Sequence, residues 1–336
     1  MDWTVIIPTR GRPTKLAACL RALGNQKEAP GFEVLVSVDG PDGGEGVVVD
    51  DLGAACGARV MFSDVAQGPA SARNRAFESA RGRWTLLLND DVVPAPDLLA
   101  RHAAARGEGV VGGDDMVLGS APFKVEPHDR LFDRLIRETS MVFFYDQMTD
   151  DDPSRDWGWR HAWTLNLSLR TEAVREVGGF TDALPGAAFE DIELAWRLRE
   201  RFGSRVLYRP GAVVEHDHRY EPAGYLKRER MLGRDAWALA GANATCALEL
   251  FGRDLHDPSE VAYSGAFVDR EASTAARAEA VFCSLADLPS GAIDGRVVPA
   301  VYQQHLLLKR WWWRFGLLEA AGAARALGDG MPVGGA

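Results

Sequence analysis

Along the first half of the chain, short apolar runs alternate with segments of helical hydrophobic period. Thr4 to Ile7 is a short β-branched run that reads as a strand stopped by Pro8. Pro13 then opens a segment in which Leu16, Leu20 and Leu23 recur at i, i+4 and i+7, the period of a helix with one apolar face. Glu33 to Val38 predicts the next strand, ending in Asp39-Gly40. Arg59 to Phe62 predicts a third strand, and Pro69 to Arg81 the helix after it. Trp84 to Leu88 is a fourth, largely apolar strand that stops abruptly at Asn89-Asp90-Asp91. Continuous apolar strands separated by helices imply a mostly parallel sheet buried on both faces, hence an α/β, Rossmann-like fold.

Beyond Asp114 the pattern loosens. The stretch 150–156 is acidic, contains Pro153 and reads as a mobile loop. Leu165 to Arg170 predicts a strand, followed by a helix capped by Thr171 and ended by Gly178-Gly179. Phe189 to Phe202 predicts another helix, and Arg205 to Tyr208 and Val213 to Glu215 two more strands. From about Tyr225 the chain reads as helical, apart from a Gly- and Pro-bearing stretch around 284–299. The expected organisation is an α/β domain over 1–225 and a mainly helical extension over 226–336.

Composition narrows the function classes. Of 336 residues, 46% are hydrophobic and 26% charged, as in an ordinary folded protein. Lys plus Arg is 38 and Asp plus Glu 48, a net charge of −10, which argues against non-specific nucleic-acid binding. Small anionic ligands need only a few local cations and stay open. Cys19, Cys56, Cys246 and Cys283 offer no C-x-x-C spacing, so neither a thiolate zinc site nor a redox pair is expected. The Met1 to Pro8 start has no basic segment and no long apolar core, and no apolar run is long enough for a transmembrane helix. A cytoplasmic location is the expectation.

Ligands of open parallel sheets bind at the carboxyl ends of the strands. Those ends are Pro8-Thr9-Arg10-Gly11-Arg12, Asp39-Gly40 and Asn89-Asp90-Asp91. Alone, Asp39-Gly40 reads as a turn. Two adjacent acids directly after a buried strand repel each other unless something positive stands between them, and a hard cation such as Mg²⁺ or Mn²⁺ would fill that role.

The ordered set Val5-Ile6-Ile7-Pro8-Thr9, Val36-Ser37-Val38-Asp39-Gly40, Gly68-Pro69-Ala70-Ser71-Ala72-Arg73-Asn74 and Leu88-Asn89-Asp90-Asp91 resembles the family 2 glycosyltransferases of the GT-A fold. Gly178-Gly179-Phe180, Phe189-Glu190-Asp191 and Glu215-His216-Asp217-His218 extend the resemblance to about Tyr225. It implies that Pro8, Thr9 and Arg10 hold the nucleotide and that Asp39 accepts a hydrogen bond from its base, usually uracil. It also implies that Arg73 lies by the nucleotide pocket and that Asp91 is the metal ligand of a DXD-like motif. Asp90 would face the donor ribose or sugar, Asp191 would be the general base with Glu190 beside it, and His216 would approach the metal or diphosphate, with His218 in reserve. Asn89 departs from the pattern: an amide is a poorer cation ligand than the Asp many members carry there.

The implied activity is a metal-dependent, inverting transfer of a sugar from a nucleotide-diphosphate sugar to a hydroxyl acceptor, in glycan or polysaccharide synthesis. Glycosyl transfer needs such parts on chemical grounds. The sugar carbon becomes cationic, the leaving diphosphate gathers charge that a cation can neutralise, and the incoming hydroxyl must lose a proton. Taken alone, Glu190-Asp191 reads as acidic charge at a helix start. A retaining transferase, a sugar-nucleotide pyrophosphorylase and a non-catalytic saccharide-binding relative are the alternatives.

Two aromatic groups remain. Trp157, Trp159 and Trp163 suit core packing or a sugar platform. Lys309-Arg310-Trp311-Trp312-Trp313-Arg314-Phe315 opens a helix expected over 309–325. It suits docking on the catalytic domain or on a second copy in a homodimer, or else peripheral contact with an anionic membrane. The net charge of −10 favours docking.

Overall fold

The structure, a computed structural model, describes residues 2–149, 151–184 and 186–322. Asp150, at the head of the expected loop, and 323–325, at the end of the expected tail helix, lie outside them. The chain forms two compact units, one built from 1–124 and 148–218, the other from 125–147 and 219–336. The division therefore falls at 218/219, where 225/226 was expected. A segment inside the expected α/β domain, 125–147, groups with the helices.

The first unit begins β1 (Trp3–Thr9), α1 (Pro13–Gly24), β2 (Phe32–Val38), α2 (Glu45–Leu52), β3 (Ala58–Met61), α3 (Pro69–Ser79) and β4 (Trp84–Leu88). It continues with β5 (Val92–Pro94), α4 (Leu98–Gly107) and β6 (Met116–Ser120). The chain leaves this unit for α5 (Leu131–Glu138) and returns for β7 (Asn166–Arg170), α6 (Thr171–Glu176), α7 (Glu190–Phe202) and β8 (Val206–His216).

The eight strands lie in the order β3-β2-β1-β4-β7-β6-β8-β5. The parallel expectation holds for β1 to β4. Farther along, β7 runs antiparallel between β4 and β6, and β5 runs antiparallel to β8. Val5, Ile6, Ile7, Leu35, Val36, Leu86 and Leu87 have no exposed surface, as strands covered on both faces require.

Pro8 does not stop β1. The pairing with β4 ends at Ile6, so the missing N–H of Pro8 breaks no bond on that side, and Pro8 stays in register with Ser37 of β2. The pairing of β1 with β4 stops short of the carboxyl ends, where the crevice expected of a parallel sheet lies. Thr171 is not a cap but the first residue of its helix. Its hydroxyl donates to the Gly82 carbonyl (2.6 Å) and lies 2.9 Å from the Thr85 hydroxyl. The two short strands expected at 205–208 and 213–215 are one, β8. A register shift opposite Gly119 and Ser120 absorbs Pro210-Gly211.

The second unit holds α5 and then α8 (Pro222–Ala242), α9 (Ala244–Phe251), α10 (Pro258–Ala286) and α11 (Val297–Ala320). Helices α8 and α11 cross backbone to backbone at two glycines. A Cβ on Gly233 would lie 1.8 Å from the Trp313 carbonyl oxygen, and one on Gly316 1.8 Å from that of Arg230. The aromatic stripe of α11 is used inside this unit. Trp311 is fully buried and donates to the Val268 carbonyl (3.0 Å), Trp312 donates to Glu279 (2.9 Å), and Phe315 stacks on Trp311 at 5.4 Å. No helix among the described residues is long and apolar enough to cross a membrane. All four cysteines are free thiols, three of them buried.

Candidate active site

The crevice gathers the ends of β1, β2 and β4. Asp90 and Asp91, both buried, follow Asn89 just past the end of β4, and the repulsion expected between them is answered by the chain itself. The Arg12 guanidinium, reaching back from the start of α1, lies 2.8 Å from Asp90 Oδ1 and 2.8 Å from Asp91 Oδ2. The Thr9 hydroxyl donates to Asp90 Oδ2 at 2.6 Å, so the nearest partner of Thr9 is this acid. Burial pushes the Asp90 carboxyl up to about 6, against the charge of Arg12 and the Thr9 hydrogen bond. Burial also opposes charge on Asp91, but the nearby His216 and His218 rings, and then the charge of Arg12, outweigh it. The Asp91 carboxyl is held far below the usual carboxylate range.

His216 ends β8 and His218 lies just past it, yet both rings turn to Asp91. His218 Nδ1 is 3.1 Å from Asp91 Oδ2 and His216 Nε2 3.7 Å from Oδ1. The Asp217 amide between them donates to the Asp91 carbonyl (2.8 Å), which ties the strand end to the acid, and Phe123 stacks on His216 at 4.5 Å. One ligand atom from each of Asp91, His216 and His218 lies within 4.8 Å of the others. Asp91 Oδ1 is buried without a hydrogen-bond partner. A mixed set of imidazoles and carboxylate with an unspent oxygen fits a divalent cation, and suits a transition ion such as Mn²⁺ better than Mg²⁺.

Asn89 takes no part in this cluster. Its Oδ1 accepts from Arg73 at 3.3 Å, and the same guanidinium pairs with Glu190 at 2.8 Å. Arg73, on α3, is almost wholly buried and lies over the Phe180 ring at 5.4 Å. Next to it, Asn74 accepts from the Phe180 amide and donates to the Phe180 carbonyl, both at 2.8 Å. Gly179 permits this clasp: its φ is +76°, and a Cβ there would stand 2.6 Å from Asn74 Oδ1. The Gly178-Gly179-Phe180 segment is thus pinned to α3. Phe189, with a left-handed φ of 68°, then turns the chain into α7.

Asp191 lies in the first turn of α7, where the Ile192 amide donates to its Oδ1 at 2.8 Å. Burial, followed by the charge of Glu190, pushes the Asp191 carboxyl up to about 7, with Arg73 pulling the other way. A carboxyl balanced near neutrality can take and give a proton.

Asp39 is buried at the end of β2. Its Oδ1 accepts from the Gln67 amide (2.7 Å) and the Gly68 amide (3.1 Å), and its Oδ2 from the Gly68 amide (3.1 Å), which leaves Oδ2 one further lone pair. Arg10 is exposed, with its guanidinium 4.0 Å from Asp39. Trp159 and Trp163 are buried, and Trp157 is half-buried with the Arg155 guanidinium 3.9 Å from its ring.

The sequence places Arg12 at the crevice as one of a guanidinium pair but does not name its partners, and it gives no role to Lys15 or Lys124. The two lysines flank Asp217 at 2.7 and 3.2 Å. The signal for Arg12 was there, in two adjacent acids that demand a counter-charge.

Residues 4–177 match the profile of the glycosyl transferase family 2. A pre-mycofactocin glycosyltransferase of Mycobacterium tuberculosis is 30% identical over 253 residues, which cover 71% of this chain and 47% of that protein. A validoxylamine A glucosyltransferase of Streptomyces hygroscopicus is 31% identical over 237 residues, covering 64% and 51%. The chain thus spans about half the length of either relative. Among solved structures, the mannosyltransferase PcManGT from Pyrobaculum calidifontis, in complex with GDP-Man and Mn²⁺, shares the fold. It superposes with a TM-score of 0.59 at 16% identity, over 95% of this chain and 87% of that one. With a GT-A sheet, the acids and histidines of its crevice and a family match over more than half its length, the chain belongs to glycosyl transferase family 2.

Proposed function

We propose that this protein transfers a glycosyl group from a nucleoside-diphosphate sugar to a hydroxyl of its acceptor by a single, inverting displacement. The observation that carries the reading is Arg73, which touches Asn89 at the donor-side strand end and Glu190 beside the candidate base. One buried guanidinium joins the two halves that a displacement needs. Asp191 takes the proton of the acceptor hydroxyl, and its carboxyl near neutrality suits that task. Asp91, His216 and His218 would hold the divalent cation. When bound, the ion supplies positive charge for the leaving diphosphate. Arg10, Arg12, Lys15 and Lys124 add fixed positive charge around the crevice, and Asp39 keeps a lone pair for the nucleobase.

The donor is proposed as a UDP-sugar. A thermal-shift screen of UDP-, GDP- and dTDP-sugars with and without Mn²⁺ tests base and metal together, since ligand at about 100 times its Kd adds roughly 2.7 kcal/mol of stability. Stabilisation by UDP-sugars that requires Mn²⁺ is expected. A larger effect of GDP- or dTDP-sugars would replace the base, and retention of anomeric configuration in the product would reject the single displacement.

A further inference from the structure

The helical unit holds a second concave site, of about 630 Å³, that shares no residue with the crevice. Four of its lining residues are cations: Arg253, Lys309, Arg310 and Arg314. Their counter-charges are few. Glu260 alone serves two of them, at 3.0 Å from Arg253 and 2.7 Å from Arg314. Lys309 donates to the Met141 carbonyl at 3.4 Å and comes no closer than 3.9 Å to Glu229. Arg310 is exposed and has no ion-pair carboxylate among the described residues. A local excess of positive charge in a chain of net charge −10 marks the place where an anion is attracted.

The rest of the lining is apolar. Leu306 is 37% exposed, and Leu307 and Trp313 are half-buried. A bare anion would use the cations and leave this wall wet. A purely apolar ligand would strip water from the cations and give nothing back. The volume is that of an organic ligand rather than of a single ion.

We infer that this cavity binds an anionic amphiphile, with a phosphate group held by Arg310, Lys309 and Arg253 and an apolar chain laid over Leu306, Leu307 and Trp313. The inference is independent of the transferase reading, because none of these residues lies in the crevice.

Its test uses the full chain and dodecyl phosphate below its micelle concentration, followed by tryptophan fluorescence. Inorganic phosphate and dodecyl maltoside separate the two halves of the ligand. Saturable binding of dodecyl phosphate is expected, weakened about tenfold or more by Arg310→Glu and by Leu306→Ser. Both positions are exposed, and melting curves show that each variant is folded; if one melts early, the other decides. Inorganic phosphate is expected to bind at least about tenfold more weakly. Equal affinity for inorganic phosphate or for the maltoside, or undiminished binding by a folded Arg310→Glu, would overturn the inference.

Discussion

Arg73 and Glu190 form an ion pair of 2.8 Å with side-chain exposures of only 4% and 6%, across 117 positions of sequence. The pair fixes α3 against the start of α7, and so sets where Asp191 stands. Breaking a buried pair by removing one partner leaves an uncompensated charge.

Arg73→Ala is therefore expected to cost about 3–5 kcal/mol of stability. Glu190→Gln keeps an acceptor for Arg73 and should cost less. Urea denaturation of both variants checks the order; an Arg73→Ala protein as stable as wild type would remove the pair from the fold's support.

Asp191→Asn keeps the shape but takes no proton, so single-turnover transfer should fall about 10²–10⁴-fold with donor affinity nearly unchanged. In the wild type, turnover should rise with pH through an acidic limb near 7, since the base must be ionised. Stability moves the other way. A carboxyl raised in the folded state contributes stability that is fully present below its unfolded value, near 3.8, and lost as pH climbs through about 7. Asn, always neutral, should thus gain on the wild type between those limits. A pH-independent stability difference between the two proteins would contradict a raised Asp191 carboxyl.

Asp91→Ala should abolish Mn²⁺-dependent stabilisation by nucleotide while the protein stays folded. Equal nucleotide affinity in mutant and wild type, with Mn²⁺ present, would show that Asp91 does not anchor the ion.

Arg12 would compete with a cation for the same carboxylates, from a partly exposed position where its effect is screened. Arg12→Ala is expected to tighten Mn²⁺ binding to the nucleotide-free protein by about tenfold. Isothermal titration reads this directly, and unchanged or weaker affinity would end the competition argument.

Gly316→Ala should destabilise the helical unit by roughly 1–3 kcal/mol, because the new methyl meets the Arg230 carbonyl, part of a backbone that cannot step aside. Gly265→Ala, in α10 with open space around it, is the control: a similar loss there would point to something other than helix crossing.

What could be read from the sequence follows from how each element is buried. Strands β1 to β4 are covered on both faces, so their apolar runs stand out. Strand β5 has three residues and β6 ends in Gly119-Ser120, too little pattern to mark either. Helix α5 leaves too short a pattern to stand out although Leu131, Phe132, Leu135 and Ile136 are all buried, because its eight residues span barely two turns. Pro210-Gly211 looked like a break between strands, whereas a shift in register lets one strand carry both. The antiparallel place of β7 is decided by pairing with β4 and β6, which local periodicity does not encode. In the crevice, residue types were legible and partners were not. The cation between Asp90 and Asp91 was foreseen as a metal, and the structure puts a guanidinium there, from a segment 79 positions earlier. His218 lies beyond the end of β8, where no strand pattern aims its ring, yet the ring reaches Asp91.

A crevice that brings its own counter-charge can assemble before any ion arrives. Many small metal-binding domains are unfolded until loaded, but here Arg12 already satisfies the two buried carboxylates that would otherwise repel each other. Folding and loading become separate events in the life of the chain. An ion held there would be a passenger of the donor rather than a keystone of the domain, and a chelator is expected to stop transfer while leaving the domain standing.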